Sequence, residues 1–211
     1  MEYNRFKWKT NGKANEKNIV VSGNARFTIL TDRLIRMEYD LSGEFTDKAS
    51  QFAFNRNFPK TEYSVSVKEC LIIETKYLKL KYIPDSIFSS ESISIKLKKY
   101  GKEWTWGTTS EQLKGTACTL DKVNGEIELE DGVCSRNGYT IVDDSKSYLL
   151  SENGWFEKRK PDVTDVYFFG YGHDYFDCIK DFYRLTGEPP MLPDYAFGNW
   201  WSRYYSYTQE E

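Results

Sequence analysis

Histidine is nearly absent from this chain of 211 residues, which has one, and its four cysteines form no Cys-x-x-Cys pair. Protein zinc sites are built from clusters of these two residue types, so the sequence predicts no metal site, and nothing in it predicts a cofactor. The cysteines, at Cys70, Cys118, Cys134 and Cys178, are too scattered for a disulfide framework in a chain with this much apolar core. We therefore expect four reduced thiols in a cytoplasmic protein.

Long apolar runs and an excess of one charge are also lacking. No stretch approaches the length of a membrane span, and residues 1–24 contain no apolar segment typical of a signal peptide. The net charge is −3, with lysine and glutamate mixed along the chain. This pattern predicts neither a nucleic-acid partner nor a membrane partner.

Aromatic residues are abundant, at 17 % of the chain, and include 16 tyrosines and 6 tryptophans. Large rings suit the buried faces of β-sheets, and exposed rings suit the flat faces of sugars. The hydrophobic content of 39 % is enough for a substantial core. The length fits one large β-domain, or one domain plus part of another.

Apolar residues alternate with polar ones through the first two thirds of the chain. The runs are centred on Phe27 and Ile29; on Ile35, Met37 and Tyr39; on Tyr63, Val65 and Val67; on Leu78, Leu80 and Tyr82; and on Ile93, Ile95 and Leu97. This period of two predicts strands with one buried face and one face in water. Many such strands separated by turn residues predict an all-β fold of antiparallel sheets packed as a sandwich.

The spacing changes to that of a helix between Asp174 and Thr186. The apolar residues there are Tyr175, Phe176, Ile179, Phe182 and Tyr183. Asp174 is a candidate N-cap, and Gly187 with the following prolines predicts the end of the helix. We expect one amphipathic helix that docks on the sandwich.

A second unit is predicted after the helix. Residues 189–193 are rich in proline and read as a stiff linker, residues 195–201 as a buried strand, and the last residues as the first turn of a helix. We therefore assign residues 1–188 to a β-sandwich domain and residues 189–211 to a linker and a first βα unit. An unfinished βα unit predicts that the chain is a piece of a longer protein.

Three stretches carry a resemblance to a known family, and they occur in order between residues 113 and 208. The first is LKGTACTLD at 113–121, continuing through LEDG at 129–132, SRNGY at 135–139 and VDDS at 142–145. The second is DVYFFGYGHDY at 165–175, running into DFYRLTG at 181–187. The third and most specific is PMLPDYAFGNWWSRY at 190–204. Together they resemble the α-glucosidases and α-xylosidases of glycoside hydrolase family 31.

The resemblance implies a galactose-mutarotase-like β-sandwich followed by a (β/α)8 barrel. It also implies a retaining mechanism, which needs two carboxyl groups about 5 Å apart. In this family both are aspartates on later barrel strands, so no catalytic residue is expected here. Two positions depart from the family pattern. Cys118 stands where relatives of this subgroup usually carry Arg, and Asn137 stands where many carry Asp, which leaves glucose or xylose specificity open.

The candidate sugar-binding residues come from this resemblance. Tyr204 and Tyr205 follow the first barrel strand, at the end where barrels carry their active sites, and either ring can stack on a pyranose or pack beneath a loop. Arg203 is expected to hold a neighbouring carboxylate, although a surface salt bridge fits equally. Asn137 and Arg136 lie in a glycine-bearing loop that can reach the rim of the pocket.

Asp144 is the remaining candidate sugar contact. It is adjacent to Asp143, so in a strand the two would point to opposite faces and cannot form a catalytic pair. One of them can hydrogen-bond sugar hydroxyls, or the pair can form a β-turn before Ser145. We expect His173 to be structural, and Gly170-Tyr171-Gly172 to connect a strand to the helix rather than to bind phosphate.

Three functions remain open from the sequence. The first is the accessory domain of a retaining α-glycosidase, whose partners are its own catalytic barrel and an oligosaccharide, with possible self-association through the apolar residues 194–211. The second is a free-standing carbohydrate-binding module, which needs an exposed aromatic platform. The third is an aldose epimerase on the same sandwich, which a lone histidine disfavours.

Overall fold

The computed structural model describes residues 8–115, 124–189, 191–199 and 206–210, and these are dominated by antiparallel strands. The strands are β1 (Ile19–Ser22), β2 (Ala25–Ile29), β3 (Leu34–Tyr39), β4 (Ser64–Val67), β5 (Leu71–Glu74), β6 (Leu78–Tyr82), β7 (Ile93–Leu97), β8 (Glu103–Thr105), β9 (Gln112–Lys114), β10 (Asp131–Ser135), β11 (Thr140–Asp143), β12 (Leu149–Leu150), β13 (Phe156–Glu157) and β14 (Thr164–Phe169). The α-helix α1 spans Tyr175–Thr186, and short 3-10 helices span Glu16–Asn18 and Asp194–Phe197.

Two five-stranded sheets form the sandwich. The first sheet has the order β1-β2-β3-β14-β11, and the second has the order β4-β5-β6-β7-β8. Their facing side chains make one apolar core, in which Phe27, Met37 and Phe168 of the first sheet meet Leu80 and Ile95 of the second. The predicted all-β sandwich is therefore confirmed. Two separate hairpins, β9-β10 and β12-β13, lie outside the sheets.

The alternation of buried and exposed residues in the second sheet agrees with the prediction from the sequence except at the edge strand. In β6 and β7 the apolar residues are buried, whereas Lys81 and Lys96 point into water. In β4 the prediction of a buried face is wrong, because Val65 and Val67 are both exposed. β4 is the edge strand of this sheet, and the described residues place no layer over its valines.

The first sheet is covered on both sides, which the sequence did not predict. Every residue of β2 and β3 is buried, so the expected wet face of these strands is wrong. We call this second side, turned away from the sandwich core, the far face. Its apolar part packs under α1 and the segment 50–58, and Leu34, Tyr167 and Phe169 lie in this smaller core.

Helix α1 docks on the far face, but most of the residues that were predicted to dock are exposed. Its buried side chains are Cys178 and Leu185, with Phe182 partly buried between them. Phe176, Ile179 and Tyr183 of the predicted apolar face are exposed instead. The helix ends at Gly187, whose φ of +101° favours glycine, and Gly187 N–H donates to the carbonyl of Tyr183.

The predicted buried strand at residues 195–201 is wrong where the structure describes it. Asp194–Phe197 is a 3-10 helix, and Tyr195 and Phe197 are largely exposed. Trp200 and Trp201, the last two residues of this predicted strand, lie outside the described residues. The assignment of residues 189–211 to the start of a barrel therefore stays a prediction.

The docking of α1 gives a testable consequence. Leu185 has no exposed surface, so Leu185→Ala should leave a cavity and cost about 2–5 kcal/mol of unfolding free energy. Phe176→Ala, on the same helix at 91 % exposure, should change stability by no more than about 0.5 kcal/mol. Urea unfolding followed by circular dichroism measures both. Equal losses in the two variants would contradict the observed docking face.

Candidate functional site

Charged residues occupy the far face in cross-strand rows. In one row Arg26 of β2 lies opposite Glu38 of β3, and Glu38 lies opposite Asp165 of β14. In the next row Arg36 lies opposite Tyr167. Alternation along each strand puts these side chains on one face, and the pairing of strands brings them into contact.

Two bidentate ion pairs stabilise these rows, one between the rows and one within the first row. Arg36 donates to both carboxylate oxygens of Asp165, at 2.8 Å from Nε and 2.7 Å from Nη2, and its Nη2 lies 2.9 Å from Glu38 Oε1. Arg26 donates to both oxygens of Glu38 at 2.6 and 2.9 Å. Arg26 also reaches Asp47 Oδ1 and the carbonyl of Thr46, both at 2.9 Å, and so fixes the loop that covers it.

Arg159 extends the cluster to Asp144. Its Nη1 lies 2.9 Å from Asp165 Oδ2, and its Nη2 donates to Asp144 Oδ2 at 2.6 Å. Asp144 also accepts from Ser50 Oγ at 2.7 Å and lies near Arg56. We call this cluster the far-face ion network. Its members are Arg26, Arg36, Arg56, Arg159, Glu38, Asp144 and Asp165.

The network places Asp144, a predicted sugar contact, in the interior. Asp144 has no exposed surface, and its Oδ2 is engaged by Ser50 and Arg159. The turn predicted for this pair is formed by Asp143, whose Oδ1 accepts from the backbone N–H of Ser145 at 2.9 Å. The described chain thus gives Asp144 a structural environment, and its contact with a sugar stays a prediction.

The direction of the pKa shift distinguishes Asp165 from the other two carboxylates of the network. Burial opposes ionisation of Asp165, but Arg36, Arg56 and Arg159 outweigh burial and hold the pKa of Asp165 well below its ordinary value. Burial raises the pKa of Asp144, and the charge of Asp165 raises it further. Burial also raises the pKa of Glu38 despite the charge of Arg36. Asp165 is therefore the permanent anion around which the arginines gather.

A cleft of about 580 Å³ opens above the network. Its floor includes Glu38, Asp165 and Arg159, and its walls are the loop 44–49 and the hairpin residues 149–152. Lys160 crosses it, 3.0 Å from Glu44 and 3.5 Å from Asp40. Because the carboxylates of the floor are engaged with guanidinium groups, the cleft offers no free nucleophile or base there.

The loop that carries Arg136 and Asn137 is the turn between β10 and β11. Arg136 N–H donates to the carbonyl of Glu111, and Asn137 Oδ1 accepts from the N–H of Glu111, both at 2.9 Å. His173 Nε2 lies 3.2 Å from the carbonyl of Arg136, close enough for the ring N–H to donate. Neither the guanidinium of Arg136 nor Nδ2 of Asn137 has a hydrogen-bond partner among the described residues.

Two glycines fix this turn against the start of α1. Gly138 has a φ of +83°, and a Cβ there would lie 2.9 Å from the Cα of Gly172. Gly172 N–H donates to the carbonyl of Gly138 at 2.8 Å. The segment 170–172 connects β14 to α1, as the sequence predicted. The close approach of the two backbone segments explains why both positions are occupied by glycine.

Other predicted positions lie outside the described residues, and some contributors were not predicted. Tyr204, Tyr205 and Arg203 fall among the positions that the structure does not describe. Glu111 and the four arginines of the network were missed. Arg26 and Arg36 occupy polar positions of strands that were predicted to have a wet face, whereas Arg56, Arg159 and Glu111 lie outside the strands and carried no signal. Within the described ranges, no group of three potential ligands could hold a metal ion, and no helix is long and apolar enough to cross a membrane.

Comparison with known proteins gives a related enzyme by sequence. Over 103 residues the chain is 36 % identical to an α-xylosidase of Saccharolobus solfataricus, a match that covers 46 % of this chain and 14 % of the xylosidase. No family model matches the chain. The chain thus spans about a seventh of the length of this relative.

Comparison of structures gives proteins of similar fold. Two structures of a Flavobacterium johnsoniae GH31 dextranase, a mutant complexed with isomaltotriose and a complex with glucose, match at a TM-score of 0.50 and 15 % identity. Each match covers 83 % of this chain and 27 % of the dextranase, in its N-terminal part. At this identity the match shows the fold, and it agrees with the family that the sequence motifs resemble.

We expect the loss of Asp165 from the far-face ion network to destabilise the fold, with a defined pH dependence. Asp165→Asn leaves Arg36 buried with half of its charge partners and should cost about 3–5 kcal/mol at pH 7. Because the folded pKa of Asp165 is lowered, its contribution is present above the unfolded value of about 3.9 and is lost as the pH falls through the folded value. The difference in unfolding free energy between wild type and variant should therefore decrease only in strong acid.

Urea unfolding at a series of pH values measures this difference in unfolding free energy. Glu62→Gln is the control, since the Glu62 side chain is 88 % exposed and should have little effect. An Asp165→Asn variant as stable as wild type at neutral pH would show that the network does not hold the far face.

Proposed function

We propose that this chain is the N-terminal accessory domain of a retaining α-glycosidase of glycoside hydrolase family 31, the family that its sequence motifs resemble. In this proposal the complete enzyme is an α-glucosidase or α-xylosidase that removes terminal α-linked sugars from oligosaccharides. The domain braces the catalytic barrel and lends the β10–β11 turn to the sugar pocket. The sequence match to an α-xylosidase supports this reading.

The single observation that carries the proposal is the rigid presentation of the β10–β11 turn. Its backbone is fixed by Glu111, its Asn137 Oδ1 is engaged, and Gly138 is held against Gly172. The amide donors of Asn137 are left without a partner among the described residues. A side chain with spare donors on a fixed turn is preorganised to hydrogen-bond a sugar hydroxyl.

The buried carboxylates of the far-face ion network do not suit the chemistry itself. A retaining glycosidase needs two carboxyl groups about 5 Å apart on either side of the anomeric carbon, one of them free to act as a nucleophile. The buried carboxylates of Asp165 and Glu38 are held by bidentate arginines instead. In the proposal, both catalytic carboxylates belong to the barrel.

The first test is hydrolysis by the 211-residue chain alone. We expect no turnover of aryl α-glucosides or α-xylosides above a blank preparation, because in this proposal both catalytic carboxylates belong to the barrel. Release of nitrophenol is the measurement. Turnover that persists through purification and disappears with Asp144→Asn or Asp165→Asn would place catalysis on this chain and overturn the proposal.

The second test concerns Tyr204 in the complete enzyme. If its ring stacks on the sugar, Tyr204→Ala should lower kcat/KM at least about tenfold with little change in melting temperature. Tyr204→Phe should be milder, because the stacking face survives. Trp201→Ala is the comparison, and it should lower the melting temperature because we propose that it fills the core.

Steady-state kinetics and thermal melts measure these variants together. A Tyr204→Ala enzyme with unchanged kcat/KM and a lower melting temperature would make Tyr204 a packing residue. Asn137→Ala should raise KM if the β10–β11 turn reaches the pocket, and an unchanged KM would remove the turn from it.

A further inference from the structure

Two cysteine thiols meet where helix α1 packs against β10, and no part of the proposed function uses them. Cys134 lies on β10 and is partly exposed, whereas Cys178 lies near the start of α1 and is buried. Both pack in the smaller core beneath α1. The sequence predicted reduced thiols because the cysteines are scattered along the chain, but the fold brings these two together.

Contacts between the helix and the strand place Cys178 beside Cys134. Cys178 Sγ lies 3.7 Å from the carbonyl oxygen of Val133, the residue that precedes Cys134. Tyr175, about one turn earlier on α1, donates from its hydroxyl to the carbonyl of Ser135 at 3.4 Å. Because Val133 and Ser135 flank Cys134, the helix holds the thiol of Cys178 next to the backbone of Cys134.

An irregularity in β10 brings the side chain of Cys134 to the same core. In a regular strand Val133 and Cys134 would face opposite sides. The pairing of β10 with β9 shifts its register between Asp131 and Ser135, and Val133 and Cys134 both pack against the core that contains Cys178. The thiols of Cys134 and Cys178 are accordingly hydrogen-bonded to each other.

The space around the two thiols is almost filled. Cys134 and Cys178 line a cavity of about 10 Å³ together with Phe169 and Tyr175, which leaves room for about one water molecule. The gap allows the two sulfur atoms to move together by the small distance that separates a contact from a bond. A large reagent cannot enter it, so the partly exposed Cys134 is the thiol that a reagent meets first.

The acidity of the thiols indicates what kind of pair they form. Burial raises the pKa of Cys134, and it raises the pKa of Cys178 well above the ordinary value. A thiol with a raised pKa is slow to attack an oxidant, and it is also a poor leaving group from a disulfide. A disulfide at this place would therefore form slowly and resist reduction, as a structural cross-link does.

We infer that Cys134 and Cys178 form an intramolecular disulfide when the protein is oxidised by hydrogen peroxide. The sulfur of Cys134 attacks one peroxide oxygen, the O–O bond breaks, and a sulfenic acid and one water result. The sulfur of Cys178 then attacks the sulfenic sulfur, the S–O bond breaks, and a second water leaves. In total two thiols lose two protons and two electrons, and one peroxide is reduced to two waters.

The cross-link would tie α1 to the strand that leads into the β10–β11 turn. β10 ends at Ser135, directly before Arg136 and Asn137. The disulfide closes the segment 134–178 into a loop, which lowers the entropy of the unfolded chain and so stabilises the fold. The inference goes beyond the proposed function, because it requires neither a sugar nor the catalytic barrel.

Oxidation of the 211-residue chain followed by mass spectrometry tests the inference. The sample carries Cys70→Ser and Cys118→Ser, so that Cys134 and Cys178 are its only cysteines. After hydrogen peroxide we expect an intact mass lower by about 2 Da, the mass of two hydrogen atoms, and a Cys134–Cys178 cross-link in a non-reducing digest. Dithiothreitol should restore the mass. The oxidised form should melt about 5–15 °C above the reduced form.

The matched control adds Cys134→Ala to the same sample, and it should show neither the loss of 2 Da nor a difference in melting temperature. Uptake of oxygen without a cross-link, or a disulfide that joins two copies of the chain, overturns the inference. Thiols that stay reduced in the folded chain while the urea-unfolded chain is oxidised also overturn it, and they make both cysteines packing residues of the smaller core. An oxidised form that melts below the reduced form would show a strained bond and would overturn the stabilising role.

Discussion

The buried pairing of Arg36 with Asp165 is the interaction on which the arrangement of this domain depends. It joins β3 to β14 at the centre of the first sheet, on the face turned away from the sandwich core. Charges in such a place are costly unless each one has a partner. The requirement recruits Arg26, Glu38 and Arg159, and through them the loops that seal the far face.

The same requirement explains why a two-sheet sandwich here has a third layer. The first sheet is apolar beneath α1 and charged beneath the loop 44–49, so helix and loop each cover the part that matches them. Arg159 connects this charged part to the segment that follows the β12–β13 hairpin. A buried network of this kind specifies one arrangement of loops, because a displaced loop would leave a guanidinium or carboxylate unpaired.

The candidate binding residues of this domain lie in a turn at the edge of the first sheet. The β10–β11 turn, fixed by Glu111 and by Gly172, carries Asn137, whose amide donors have no partner among the residues that the structure describes. This turn is a loop positioned by a stable scaffold, which is the usual location of binding residues.

The sequence alone determined five strands of the two sheets, the sandwich, the existence of α1 and the family resemblance, because alternation, helical spacing and motifs are local properties of the chain. Only the tertiary structure decided which polar faces are buried. Arg36 and Glu38 alternate with apolar residues as a wet face would, and their partner Asp165 lies more than a hundred residues away. In the same way, Phe176 fits a helical stripe but lies in water, while Leu185 is buried. Burial depends on which distant segment covers a face, and no local pattern contains that information.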